Sequence, residues 1–225
     1  TAGETAEVTV DMEGGKADVE ADSLFVEVET EYEQETDEGT QYIETAVHRE
    51  DPMGSFTLEA DETRSETVAV TIPRETPVTY GRTDVWIEAG LDVGMSVDPD
   101  DETAVQVEPS ERMQRVFDAV EDLGFQLGEA YPEAASGGLF SSGTPYVQEF
   151  EYRPSGGRFR GELDELELIF APTEDALTVT VEVDRQGGML SEMMGTDEST
   201  DSLSVRDQDV ETIASELSDL IERNI

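Results

Sequence analysis

Three arginines that lie close together form the most unusual group of side chains in this sequence. Arg153, Arg158 and Arg160 fall in the stretch EFEYRPSGGRFRGELDELELIF, although the chain has 56 acidic residues and only 13 basic ones. Guanidinium groups bind carboxylates through paired hydrogen bonds, so such a group can recognise an acidic segment of another protein. The PSGG segment between them is a strong turn signal, and the arginines can also pair with glutamates across a hairpin. We expect mainly a charge-balanced hairpin, with Arg153, Arg158 and Arg160 as candidate partner-binding residues.

Residues for enzymatic chemistry are scarce. His48 is the one histidine and there is no cysteine, so a nucleophile would have a single possible histidine base. The alternation in TAVHRE predicts a half-exposed strand position for His48. The segment Gly138 to Gly143 has the spacing of a phosphate-binding loop, but Thr144 and Pro145 follow where Lys and Ser or Thr are required. We therefore predict no catalytic residue, no cofactor and no enzymatic activity.

The charge balance is extreme, with a formal net charge of -43 and a pI near 4.1. Lys16 is the single lysine. This composition is typical of proteins from a salt-saturated cytoplasm, where the Debye length is only about 3 Å at molar salt. The acidic run from Asp98 to Glu102 is then ordinary surface, and it lacks the glycine and the bidentate glutamate of a calcium loop. We predict no metal site, and the absence of a basic footprint argues against nucleic acid as a partner.

Two groups of side chains leave other functions open. Trp86, the one tryptophan, could form a platform for a sugar if it is exposed beside convergent carboxylates. Its commoner use is in the core of a β-sandwich, and burial would argue against carbohydrate binding or processing. Met189, Met193 and Met194 have the spacing of one helical face, which suits either adaptable binding or local packing.

The elements that position these residues are mostly strands. Between residues 5 and 107 about seven segments, from AEVTVDM to ETAVQVE, alternate apolar and polar residues without an intervening helix, which predicts a two-sheet sandwich. No run of 18 apolar residues is present, so no membrane-spanning helix is expected. The residues predicted to be buried between the two sheets are Val8, Val10, Val26, Val28, Val68, Val70, Ile72, Val85 and Ile87.

Two helices and a second β-rich region follow. PSERMQRVFDAVEDLG predicts a helix with Ser110 as its N-cap and Gly124 at its end. In RFRGELDELELIF the apolar parity changes near Asp164 and Glu165, which predicts a bulge or bend. The segment DQDVETIASELSDLIERNI predicts an amphipathic helix that either docks on its own domain or forms a dimer. The predicted organisation is a β-sandwich over 1–108, a linker helix over 109–124, a second sandwich over 125–206 and the amphipathic helix over 207–225.

Several long strings are similar to a known family. TPVTYGRTDVWIEAGLDV with SVDPDD, VFDAVEDLGF, PYVQEFEYRP, GRFRGELDELELIF and VEVDRQGGMLSEMMGTDE occur in this order between Thr76 and Glu198. They resemble the sporulation-control protein family (stage zero, protein M), whose members have an arrestin-like architecture. The resemblance implies two arrestin-like β-sandwiches in a non-enzymatic, cytoplasmic regulatory or scaffold protein that binds a protein partner.

The resemblance also suggests two differences. The acidic composition indicates a halophile, and a halophile of this kind would be an archaeon that makes no spores, so we expect the regulatory role to transfer and sporulation not to. TAGETAEVTV resembles the family's second strand, so the N-terminal sandwich is expected to lack its first strand and to expose a sheet edge. A homodimer through this edge or through the C-terminal helix remains possible at this stage.

Overall fold

The computed structural model of the chain describes residues 1–94, 100–135, 143–185 and 198–225. The chain divides into two compact units that are not contiguous in sequence. Unit 1 comprises residues 1–31, 43–79 and 84–108, and unit 2 comprises residues 32–42, 80–83 and 109–225. The described residues do not include 95–99, which contain Asp98 of the acidic run, or most of the glycine-rich loop (136–142), or Met189, Met193 and Met194.

Eight strands precede the first helix, and two of them continue into unit 2. Their alternation of apolar and polar residues is the period-2 pattern of strands with one buried face. The strands are β1 (Thr5–Glu13), β2 (Val19–Ala21), β3 (Ser23–Thr36), β4 (Gly39–Met53), β5 (Phe56–Leu58), β6 (Thr63–Thr71), β7 (Val85–Asp92) and β8 (Asp100–Ala104).

The strands of unit 1 form three groups. β3 pairs antiparallel with β7, β7 pairs antiparallel with β8, and β4 pairs with β3. β1 and β6 form a separate two-stranded antiparallel sheet, and β2 and β5 form a short ribbon. Buried apolar residues on the inward faces of β3, β6 and β7 form the core; they are Leu24, Val26, Val28, Val68, Val70, Val85, Ile87 and Leu91.

Unit 2 contains a five-stranded antiparallel meander and both described helices. The strands follow one another in the order β13-β12-β11-β10-β9, and the C-terminal part of β3 adds a parallel pairing to β9 at Glu33 and Glu133. The elements are α1 (Glu111–Asp122), β9 (Phe125–Ala134), β10 (Tyr146–Pro154), β11 (Leu163–Pro172), β12 (Leu177–Arg185), β13 (Glu198–Val205) and α2 (Val210–Asn224).

The helices of unit 2 begin and end where the sequence predicts. The Ser110 hydroxyl accepts a hydrogen bond from the Met113 amide at 3.3 Å, and Gly124 follows the helix in a left-handed conformation, with φ 92°. In α2 the Asp209 carboxylate accepts from the Thr212 amide at 2.9 Å. Hydrogen bonds from the Thr212 side chain and then from its amide lower the pKa of the Asp209 carboxyl.

The core of unit 2 joins the helices to the sheet. Phe117 of α1 packs against Phe150 of β10 and Phe170 of β11, with ring centroids 5.1 Å and 5.5 Å apart. The apolar stripe of α2, which includes Ile213 and Leu217, is fully buried within unit 2. The residues of the α2 stripe therefore pack inside their own unit.

The predicted mainly β fold with two helices is confirmed, and so is the change of parity in β11. The register between β11 and β12 shifts between Leu163 and Glu165, which lets Leu163 and Leu166 both be buried. The sequence interval between them would otherwise place their side chains on opposite faces. Among the described residues no helix is long and apolar enough to cross a membrane.

Candidate functional site

Arg153 lies on β10 and pairs with acidic side chains of its own sheet. Its Nε atom lies 3.2 Å from Oε1 of Glu165, and its Nη2 atom lies 3.8 Å from Glu151. Both the burial of Glu165 and the nearby charge of Glu151 raise the pKa of Glu165, and the guanidinium lowers it. The cross-strand pairing predicted for this arginine is therefore present with Glu165 of β11, and Glu151 is a second partner on the same strand as Arg153.

Arg158 contacts the C-terminal helix α2 rather than a neighbouring strand. Its guanidinium forms an ion pair with Glu222 and a hydrogen bond to the Ser218 hydroxyl, and it lies over the Phe159 ring at 4.7 Å from the centroid. The expected pairing of Arg158 with glutamates across the hairpin is not what these contacts show, because α2 supplies the acidic partner instead. Arg160 is exposed and makes no ion pair with any described residue.

His48 lies in β4 as a half-exposed residue, as its alternating context predicted. Its Nε2 atom lies 2.9 Å from Oε1 of Glu50. The hydrogen bond with His48 lowers the pKa of Glu50, and a second bond from Thr71 acts in the same direction. No serine or threonine hydroxyl is recorded as a partner of the ring among the residues described, so the contacts of His48 are those of a surface pair.

Trp86 is half-buried on the outward face of unit 1, beside three glutamates. Its indole N–H donates to Oε2 of Glu29 at 2.7 Å, and carboxylate oxygens of Glu27, Glu29 and Glu88 all lie within 4.8 Å of one another. Burial, followed by the charge of Glu29, raises the pKa of Glu88 to about 7. Arg49 compensates part of this charge through an ion pair with Glu27.

Unit 1 contains an open cleft of about 780 Å³, which we call the β1–β8 cleft. β1 lines one side along its length, and β7 and β8 line the other. Its floor is apolar and includes Leu24, Leu58, Ile87 and Leu91. This volume lies within the range of about 300–1,000 Å³ that ligand-binding clefts occupy.

The inward side chains of β1 are less buried than the sequence predicted. Val8 and Val10 were predicted to be buried, and this prediction is wrong: both are only half-buried and line the cleft. The other seven residues of that predicted set are buried. Val8 and Val10 point into the sandwich, but the cleft separates them from β7 and β8 on its other side.

Among the described residues, no strand pairs with the edge of β1 that faces away from β6. The Gly14 amide donates to the Glu62 carbonyl at 2.7 Å, and the Ile72 amide donates to the Glu4 carbonyl at 2.9 Å. In an antiparallel ladder the hydrogen-bonded pairs alternate, so the even-numbered residues of β1 bond to β6. The odd-numbered residues direct their N–H and C=O groups to the open edge; they are Thr5, Glu7, Thr9, Asp11 and Glu13.

The same odd-numbered residues give the edge its charge. The carboxylates of Glu7, Asp11 and Glu13 are exposed on the outer face of β1 and form no ion pair with the residues described. Asp101 of β8 adds a further exposed carboxylate to the opposite wall. The cleft therefore combines an apolar floor, an unpaired strand edge and an acidic rim.

The family resemblance predicted an exposed sheet edge here, but the alternation pattern missed the incomplete burial of β1 for a physical reason. AEVTVDM has the same alternation as the strands that are fully buried, and alternation reports which face is apolar but not whether that face is covered. The sequence feature that indicates an edge strand is the charge at the odd-numbered positions, namely Glu7, Asp11 and Glu13. Charged side chains are common on edge strands.

The comparisons with known proteins identify the family. The model of the family described as SpoOM protein (Spo0M) matches residues 1–187. The chain is similar to the sporulation-control protein spo0M of Bacillus subtilis (strain 168), at 35% identity over 195 residues that cover 85% of this chain and 75% of that protein.

The fold agrees with this relationship. The crystal structure of Spo0M, the sporulation-control protein from Bacillus subtilis, matches with a TM-score of 0.88 and 32% identity, and the match covers 100% of this chain and 94% of that one. The match confirms the predicted fold class of arrestin-like β-sandwiches. These similarities give no support to the carbohydrate hypothesis raised by Trp86. The chain belongs to the Spo0M family of sporulation-control proteins.

Proposed function

We propose that this chain is a non-enzymatic regulatory protein of the cytoplasm that acts by holding a segment of another protein in the β1–β8 cleft. The observation that carries the proposal is the cleft of about 780 Å³ in unit 1, which Val8 and Val10 line beside an edge of β1 that no described strand pairs with. Apolar surface and unpaired backbone groups next to each other form a favourable surface for another chain.

The host and the process form a second part of the proposal. The net charge of -43 with a single lysine suits a halophilic archaeon with a salt-saturated cytoplasm. In such a host the regulatory role would be retained and sporulation would not be the process regulated. The family's name supports a regulatory role in general terms.

The arginine group is proposed as a second contact with the partner. Arg153 and Arg158 already pair with acidic side chains of unit 2. Arg160 is the member whose guanidinium remains available to an acidic segment, because no described residue pairs with it. Exposed pairs of this kind contribute only about 0.2–1 kcal/mol, so the cleft would supply most of the affinity.

Site-specific photo-crosslinking in a halophilic archaeal host tests the proposal. A photo-reactive amino acid at Thr9, on the open edge, should capture one defined protein in cells grown at native salt, identified by mass spectrometry. The matched position is Tyr42, which is 60% exposed and lies in unit 2. The same reagent at Tyr42 should not capture that protein.

Filling the cleft provides the second arm of this test. Ala89 is half-buried in the cleft wall, and Ala89→Phe should abolish capture from Thr9. Thr103→Phe, at an exposed wall position, serves if the first variant does not fold as judged by circular dichroism. Capture that survives in a folded, filled variant, or no capture from Thr9, would show that the cleft is not the docking site.

A further inference from the structure

β4 is a long strand that lies at an edge of its sheet. It has 15 residues, and β3 is the one described strand that pairs with it. We infer that β4 pairs antiparallel with β4 of a second copy of this chain, with Thr45 of each copy opposite Thr45 of the other. This surface is separate from the β1–β8 cleft, so the inference goes beyond the proposed function. It rests on the composition of β4, on its contrast with other edge strands and on the match between the charges of the two copies.

The exposed segment of β4 has little charge for this chain. Glu44 is the one formally charged residue in 41–48, although 31% of the whole chain is charged. Tyr42 is 60% exposed, which makes it the most exposed of the large hydrophobic side chains described. Ile43, Thr45 and Val47 are β-branched residues, which together with aromatic residues are enriched in strands. The composition therefore favours the addition of another strand.

Other edge strands of the chain carry protection that β4 lacks. β8 has three carboxylates in five exposed residues. On β13 the Asp201 carboxylate accepts from the Ser202 amide at 2.8 Å, and the Gln208 side chain donates to the Ser204 carbonyl at 3.0 Å. Among the described residues, the side-chain bond to the backbone of β4 is at its first residue, Gly39. Charge and occupied backbone groups both discourage added strands, so the edge of β4 is the less protected one.

Pairing about Thr45 places no like charges opposite each other. Ile43 lies opposite Val47 of the other copy, and Glu44 lies opposite Ala46. Apolar pairs at such positions are favourable, and like charges are unfavourable. The two Thr45 hydroxyls would face each other as those of Thr9 and Thr67 do, which are 3.1 Å apart on directly paired positions of β1 and β6. The other opposite pairs are Tyr42 with His48, Gln41 with Arg49 and Thr40 with Glu50.

The neighbouring registers are less favourable. A centre at Glu44 puts this carboxylate opposite itself. A centre at Ala46 separates the like charges, but it places Ile43 opposite Arg49 and Tyr42 opposite Glu50. Each copy has a net charge of -43, yet the Debye length of about 3 Å at molar salt confines repulsion to charges that lie close together. The local sequence of β4 therefore determines whether two copies can pair.

Sedimentation equilibrium in molar potassium chloride tests the inference. The paired edge of one strand is a small interface, so the wild type should show a monomer–dimer equilibrium with a Kd in the micromolar range. Monomers at every protein concentration, for the wild type and for Ala46→Arg, would overturn the inference.

Two substitutions at one exposed position test the register. Ala46 lies opposite Glu44 twice in the dimer, so Ala46→Arg adds two opposite-charge pairs and should lower the Kd about threefold to tenfold. Ala46→Glu adds two like-charge pairs and should raise the Kd by a similar factor. Shifts in the same direction for both variants would overturn the register. Ser202→Arg, at an exposed position of β13, is the control, and a decrease in Kd as large as that of Ala46→Arg would assign the effect to net charge and overturn the inference.

Photo-crosslinking of the purified chain maps the interface without these variants. A photo-reactive amino acid at Tyr42 should give a covalent dimer whose crosslinked peptide, identified by mass spectrometry, contains His48 of the other copy. Circular dichroism checks the fold of each variant, and the crosslink decides the outcome if the Ala46 variants do not fold. A crosslink to another part of the second copy, or no covalent dimer, would show that β4 does not pair in this way.

Discussion

Unit 1 and unit 2 use the same alternating strands but differ in how completely the apolar faces are covered. In unit 2, Val179, Val181 and Val183 of β12 are fully buried. In unit 1, Val8 and Val10 of β1 have the same pattern of neighbours in sequence and are only half-buried. The difference shows that the burial of a strand's apolar side chains depends on which elements pack against them. The less buried of the two strands lies in unit 1.

Lowering the salt concentration should have the largest effect and should separate the two units. With a net charge of -43, transfer from molar potassium chloride to dilute buffer lengthens the screening distance and should unfold the chain. Unit 1 should unfold at a higher salt concentration than unit 2, because its sandwich is open. Trp86 fluorescence reports unit 1, and the helical circular dichroism signal reports α1 and α2.

Two outcomes would contradict this expectation. Full structure in dilute buffer would show that charge repulsion does not limit stability. Coincident changes of the fluorescence and helix signals would show that the two units unfold as one cooperative body. Re-addition of potassium chloride is the control, since it should restore both signals if unfolding is reversible.

A matched pair of valine substitutions measures the difference in coverage directly. Val181→Ala in unit 2 removes fully buried methyl groups and should cost about 2–3 kcal/mol of unfolding free energy. Val8→Ala in unit 1 should cost less than about 1 kcal/mol, because its side chain is half-exposed in the cleft. Urea unfolding at constant potassium chloride concentration measures both values, and equal costs would mean that the cleft is covered in solution.

Much of the fold could be predicted from local patterns. Ser110 and Gly124 marked the ends of α1 because capping depends on residues within one turn. The bulge at Leu163 and Glu165 could be predicted because a strand cannot change apolar parity without one. These features depend on neighbours in sequence, so the residues themselves contain the information.

The open cleft and the contacts of the arginines could not be predicted in this way. Val8 lies in the cleft because β8 and β1 do not close on each other, which depends on the pairing of distant strands. Arg158 pairs with Glu222 of α2, and nothing near Arg158 in the sequence identifies that helix as its partner. The chain offers 56 acidic residues, so composition could not select one.

Substitutions at Arg158 and Arg160 are expected to have smaller effects on stability, within unit 2. Arg158→Ala should lower the unfolding free energy by about 1 kcal/mol, because it removes an exposed ion pair with Glu222 and a contact with the Phe159 ring. Arg160→Ala should change it by less than about 0.5 kcal/mol. Urea unfolding of the two variants gives the comparison.

The same two variants test the proposed second contact. If Arg160 binds an acidic segment of the partner, Arg160→Ala should reduce the yield of the protein captured from Thr9 while the fold is unchanged. An unchanged yield would remove Arg160 from the partner surface. A stability loss for Arg160→Ala equal to that of Arg158→Ala would show that Arg160 also has a structural partner.

The outward face of unit 1 provides the smallest expected effect, which depends on pH. In the folded chain the pKa of Glu88 is raised to about 7 from an ordinary value of 4.5, first by burial and then by the charge of Glu29. Between these two pH values the folded state binds more protons than the unfolded state, so stability falls as the pH rises from about 4.5 to about 7.

Glu88→Gln removes this loss and should stabilise the protein by about 0.5 kcal/mol at pH values above about 7, since solvent and salt screen a half-exposed group. At pH values near the ordinary pKa the variant and the wild type should have equal stability. Urea unfolding across this pH range measures the difference, with Glu7→Gln at an exposed position of β1 as the control for loss of one charge. An equal gain for both substitutions would assign the effect to the net charge of the chain rather than to the crowding of Glu88 beside Glu29.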